Sequence, residues 1–133
     1  MTDVLKMFVV TFVVFLIIDL LWLGVIARRL YNEQLGYLMK KRVNWFAAIS
    51  FYVIFVMGMI YFVIQPGLEA AGLQQVLVSG LMFGFVTYAT YDLTNLATTK
   101  DWPLLITVVD LMWGSFLSVS TSVISVLILR VLI

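Results

Sequence analysis

The stretch FVVFLIIDLLWLG, residues 12–24, decides the fold. It is an apolar run holding one carboxylate, Asp19, with no lysine, arginine or histidine inside it to neutralise the charge. Two more runs have the same character: FVTYATYDLTNLA (85–97) around Asp92 and LLITVVDLMWGSF (104–116) around Asp110. An ionisable side chain at membrane depth costs roughly 2.5–3.5 kcal/mol on insertion scales, so three of them mark a functional site by default.

The rest of the chain supports a membrane reading. It is 64% hydrophobic and 11% charged, with a mean hydropathy of +1.13, more apolar surface than a soluble domain of 133 residues could bury. Spans are predicted at residues 7–27, 45–65, 77–98 and 102–129, each close to the roughly 20 residues that cross a bilayer. They use nearly the whole sequence, so the expected fold is one all-α integral membrane four-helix bundle. The first run is too long for a signal-peptide core, lacks a small-x-small cleavage site and ends in Arg28-Arg29, which reads as a retained helix. Without cysteine there are no disulfides, thiolate metal sites or cysteine nucleophiles. Without histidine the usual general base and transition-metal ligand are missing too. A net charge of +1 gives no reason to expect a nucleic-acid partner; the bilayer is the partner the composition demands.

Basic residues set the expected orientation. Loop 1 carries Arg28, Arg29, Lys40, Lys41 and Arg42, and loop 3 carries Lys100. The second loop, near Pro66-Gly67-Leu68-Glu69, has none. The positive-inside rule places loops 1 and 3 in the cytoplasm, with Trp45 and Trp102 at that interface. Asp101, ahead of Pro103, is expected to cap the fourth helix. Asp19 lies nine residues before Arg28, Asp92 eight before Lys100 and Asp110 eight after Trp102. At 1.5 Å per residue, all three sit about 12–13 Å inside one boundary. Within loop 1 (28–44), Leu30, Tyr31, Leu35, Leu38 and Met39 fall on one rough helical face, which fits either a short helix lying on the inner leaflet or a plain loop.

Helices 1 and 3 align without gaps across 12–24 and 85–97, and helices 2 and 4 align more weakly through WFAAIS (45–50) and WPLLIT (102–107). A two-plus-two internal repeat is the expected architecture. A second echo sets Asp19-Leu20-Leu21-Trp22 against Asp110-Leu111-Met112-Trp113. Aspartate and tryptophan three apart share a helix face, so the two helices are expected to enclose a pair of carboxylates between two indole rings able to hold a cation. Around Asp92, Tyr88 and Asn95 share its face; around Asp110, Thr107 and Gly114 do, the glycine allowing close approach of a helix or ligand. The hydroxyl run Ser118, Ser120, Thr121, Ser122, Ser125 is expected in close helix packing, within or between protomers of a homo-oligomer. Gly80 and Gly84 form a GxxxG, a weak sign of helix contact.

These residues resemble a family of bacterial membrane proteins, domain of unknown function family 2177. The resemblance rests on DLLWLG (19–24) followed by Arg28-Arg29-Leu30-Tyr31, on YATYDLTNLAT (88–98), on Trp102-Pro103 and on VDLMWGS (109–115). It implies a small multispanning protein of the bacterial inner membrane with these polar residues as its hallmark. It implies no activity.

The expected site is therefore Asp19, Trp22, Tyr88, Asp92, Asn95, Asp110 and Trp113. Three like charges in a low dielectric cannot all remain ionised, so the site is expected to hold protons. Proton-linked binding or transport of a small cationic or lipid-like ligand is the leading reading. The alternatives are a lipid-modifying membrane enzyme, an accessory subunit of one, or a purely structural polar core. Aspartate and asparagine oxygens suit Mg²⁺ or Mn²⁺, but with no DxxD-type pair on one helix and no basic cluster at membrane depth, no metal and no cofactor is assigned.

Overall fold

A computed structural model describes residues 2–133, and every regular element in it is helical. Four stretches are long and apolar enough to cross a membrane: Asp3–Ile26, Trp45–Glu69, Gln74–Thr98 and Leu104–Leu132. Helix is forced on them, because hydrocarbon offers no partner to a backbone N–H or C=O. The helices begin earlier or run further than the predicted spans at the end of the molecule away from loop 1.

The first span is α1 (Thr2–Leu21), continued by a π-turn at Trp22–Ile26 in which Ala27 N donates to Trp22 O at 2.7 Å. After Ala27 alone the chain starts α2 (Arg28–Leu35), followed by a 3₁₀ turn at Gly36–Leu38. The second span is α3 (Trp45–Met59), a π-turn at Ile60–Ile64 and α4 (Gln65–Glu69). Asn44 caps its start, its side chain accepting from Ala47 N at 3.1 Å. The stretch Gly67–Gly72, expected as a short outer turn, is thus helical as far as Glu69. Pro66 lacks an N–H and its ring would press on the carbonyl four residues back; the wider π-turn just before it accommodates both. The remaining spans are α5 (Gln74–Thr98) and α6 (Leu104–Leu132).

Asp101 does not cap α6. The helix begins at Leu104 with Pro103 in the cap position and no side-chain cap, while Asp101 adopts a left-handed φ of 60°. Proline disfavours helical geometry in the residue before it, here Trp102, so the helix cannot start as early as residue 102.

Helix α6 is the centre of the bundle, packed chiefly on α5 and then on α1. Small residues permit the α5–α6 approach: a Cβ on Gly84 would lie 2.2 Å from the Gly114 carbonyl oxygen, and one on Gly114 would lie 2.3 Å from the Tyr88 ring. Gly114 therefore admits a neighbouring helix, and no ligand reaches it there. Ser118, Thr121, Ser122 and Ser125 are fully buried in packing within the bundle, whereas Ser120 is half-buried and donates to its own helix. The apolar core (Phe15, Phe55, Val56, Met59, Ile64, Leu117 among others) fills the half of the molecule away from loop 1. There Arg130 donates to the carbonyls of Gly67, Ala70 and Gly72 at 3.2, 3.1 and 2.9 Å, satisfying backbone groups where the second span ends.

Toward loop 1 the bundle opens. No residue of α3 from Trp45 to Ile54 is buried, whereas Phe55, Val56, Met59, Val63 and Ile64 further on all are. Loop 1, for which the sequence left a short helix and a plain loop open, begins with the helix α2, and one face of it packs on the bundle. Leu35 is buried against Trp102 and Ile106, with Leu30 and Tyr31 packed on the same cluster. This packing brings the Tyr31 hydroxyl to Trp22 and Asp110.

Candidate functional site

The opening is a cavity of about 460 Å³ whose wall includes Asp19, Trp22, Tyr88, Asp110 and Trp113. Five of the seven expected site residues thus share one wall, drawn from α1, α5 and α6. The same wall includes Tyr31 and Arg28 from α2 and Tyr52 from α3.

Asp19 and Asp110 are both largely buried and each accepts a bond from a tyrosine. Tyr52 Oη donates to Asp19 Oδ2 at 3.2 Å, and Tyr31 Oη donates to Asp110 Oδ1. Trp22 Nε1 in turn donates to Tyr31 Oη at 3.2 Å, so indole, phenol and carboxylate form a directed chain from the π-turn through α2 to α6. Burial, and then the Asp110 carboxylate it touches, push the Tyr31 phenol well above the usual tyrosine range. It remains a donor across all ordinary pH. Trp102 Nε1 donates to Thr107 Oγ1 at 3.1 Å, which ties the residue just ahead of α6 to the first turn of that helix.

The two tryptophans do not bracket the carboxylates. Trp22 and Trp113 stack on each other, with ring centroids 4.3 Å apart and planes 8° from parallel, so no cation fits between their facing surfaces. The π-turn begins at Trp22, where the chain bends away toward α2. Trp113 Nε1 is buried and unbonded among the described residues.

Asp92 and Asn95 do not line the cavity. Asp92 is fully buried, and neither of its oxygens has a hydrogen-bond partner among the described residues. Asn95 accepts from Thr99 Oγ1 at 3.1 Å through Oδ1 while its carbonyl takes Thr99 N, so it finishes α5. No three acidic side chains among the described residues converge closely enough to share a metal ion.

Tyr31 and Tyr52 were missed as site residues. Tyr52 is one aromatic among several in WFAAISFYVIF, and Tyr31 falls on a rough face that fits a leaflet helix or a plain loop alike. Their hydroxyls were the available signal, because tyrosine buried among phenylalanines needs a polar partner.

Fold and cavity together define a small polytopic membrane protein with an acid-lined pocket at the end carrying its basic loops. The chain belongs to the family described as predicted membrane protein (DUF2177), whose model matches residues 4–127. Comparisons with curated proteins and with solved structures found no match.

Proposed function

We propose that the protein binds a small organic cation in this cavity and exchanges it for protons, as the intramembrane step of transport. The observation that carries the reading is the placement of two buried carboxylates, Asp19 and Asp110, in the wall of one open cavity rather than in a closed core. A polar core serving only to tie helices together has no need of such a space. A metal-dependent lipid enzyme is less well supported, because the three aspartates do not gather into a single ligand set.

In this mechanism the cation displaces the phenol of Tyr31 from Asp110 and is held by the carboxylates and the faces of the aromatic rings lining the cavity. Asp92, buried beside Asp110 and outside the cavity wall, accepts or returns the proton when the charge in the cavity changes. The stacked indoles form a wall. Orientation belongs to the same proposal: the loops holding Arg28, Arg29, Lys40, Lys41, Arg42 and Lys100 face the cytoplasm of a bacterial cell.

The test is equilibrium binding of tetraphenylphosphonium to the purified protein, followed by tryptophan fluorescence. Saturable binding is expected, weakened at least tenfold by Asp110→Asn and by Asp19→Asn while both variants remain helical. Asparagine preserves shape and bonding capacity, so a purely structural core would tolerate both changes. Equal binding by wild type and both variants would overturn the proposal.

A further inference from the structure

A second cavity of about 340 Å³ adjoins the first. The two share Phe51, Tyr88, Tyr91 and Asp110, and only Phe55 and Thr87 are added. Thr87 Oγ1 donates to its own backbone, to Phe83 O at 2.7 Å, so its hydroxyl is occupied. Phe55 and Thr87 each lie one turn beyond Phe51 and Tyr91, away from loops 1 and 3. The second cavity therefore leads from the carboxylates toward the middle of the bilayer and grows less polar on the way.

It also opens sideways. Phe51 and Tyr91 line both cavities yet are 46% and 57% exposed, and both lie inside membrane-spanning helices. That exposure lies on the side of the gap where α3 stands away from the bundle, within the length of helix a bilayer would cover. Beyond that gap, Phe55 closes on Phe83 and Tyr88, which gives the second cavity an aromatic floor.

We infer that the ligand is a single-chain amphiphilic amine, its ammonium group against Asp110 and its alkyl chain in the second cavity, reaching the site from the bilayer between α3 and α5. The inference rests on the cation-binding reading above and narrows it to a substrate class. A carboxylate at the inner end of an apolar slot, with the slot open to lipid, matches a molecule with one cationic end and one hydrocarbon end. A two-chain lipid is a poorer fit, since the slot has a single apolar arm. A compact hydrophilic cation would leave that arm unused.

The experiment compares dodecyltrimethylammonium with tetramethylammonium on wild-type protein and on Thr87→Trp, which fills the apolar arm without touching a carboxylate. In lipid nanodiscs the dodecyl probe should bind at least tenfold more tightly, and Thr87→Trp should remove that preference. Because this variant could misfold, a dodecylamine with a photoactivatable diazirine at the chain end is also applied to the wild type. It should label the segments of α3 and α5 holding Phe55 and Thr87, and Asp110→Asn should abolish labelling. A preference that survives Thr87→Trp, or labelling outside α3 and α5, overturns the inference while cation binding stands. If neither amine binds wild-type protein, the cation-binding reading falls and the inference falls with it.

Discussion

At Asp110 three elements meet through one phenol. Tyr31 accepts from Trp22 and donates to Asp110, so a single hydroxyl joins the π-turn of the first span, α2 and α6. Interhelical hydrogen bonds in membranes contribute on the order of 0.6 kcal/mol, up to roughly 1.7, because the unfolded chain in lipid also finds partners. Tyr31→Phe should therefore lower unfolding stability in a detergent titration by about 0.5–2 kcal/mol. It should also tighten cation binding, since the ligand no longer competes with the phenol for Asp110. Weaker binding would mean that Tyr31 contacts the ligand itself. The stability difference has a definite pH profile. Folding holds the Tyr31 phenol above its ordinary value of 10.0, so its contribution is constant below that value and fades as pH rises above it. At this scale the sequence was partly legible. Aspartates in apolar runs are visible because each is costly, and the same warrant extends to Trp22, Tyr88 and Trp113 through helical spacing. Spacing fixes a helix face and nothing further. It could not show that Asn95 is used by the end of α5, that Asp92 is absent from the cavity wall, or that the two indoles would stack on each other.

Among the elements, the α5–α6 contact sets the cavity's back wall, and glycine makes it possible. A Cβ on Gly84 would meet backbone, the Gly114 carbonyl oxygen at 2.2 Å, which cannot swing aside as a side chain can. Gly84→Ala should cost about 1–3 kcal/mol, the usual range for overpacking, and should move Tyr88 with α5. Gly24→Ala is the control: a Cβ there meets nothing within 4 Å, and stability should hardly change. Detergent unfolding of the two variants gives the comparison, and equal stabilities would contradict the packing described. Helix existence was plain in the sequence because apolar length alone decides it in a membrane. Helix ends were not. Pro66 sits inside a helix because a π-turn accommodates it, and Pro103 delays α6 past Asp101. Both outcomes depend on local backbone geometry that residue patterns do not carry.

For the molecule as a whole, the bundle is tight at one end and open at the other. Arg130 fastens the tight end, while α2 leans on Trp102 and Ile106 at the open one. The orientation proposal is tested by single cysteines in a chain that has none of its own. Gly36 and Gly72 lie at opposite ends, and neither has a neighbour within 4 Å of an added Cβ, so both accept the substitution. A membrane-impermeant thiol reagent applied to intact cells should react at Gly72→Cys and spare Gly36→Cys. The opposite pattern would invert the molecule and the direction in which its cavity faces.

Coupling between cation and proton is the central claim, and calorimetry reads it most directly. Titrating purified protein with tetraphenylphosphonium in two buffers of different ionisation enthalpy gives the number of protons released per cation bound. The account predicts release in wild-type protein, reduced in Asp92→Asn because Asp92 is the proton's seat, with cation binding itself retained in that variant. Saturable binding with the same heat in both buffers would show a cation site without proton exchange, and would contradict the mechanism.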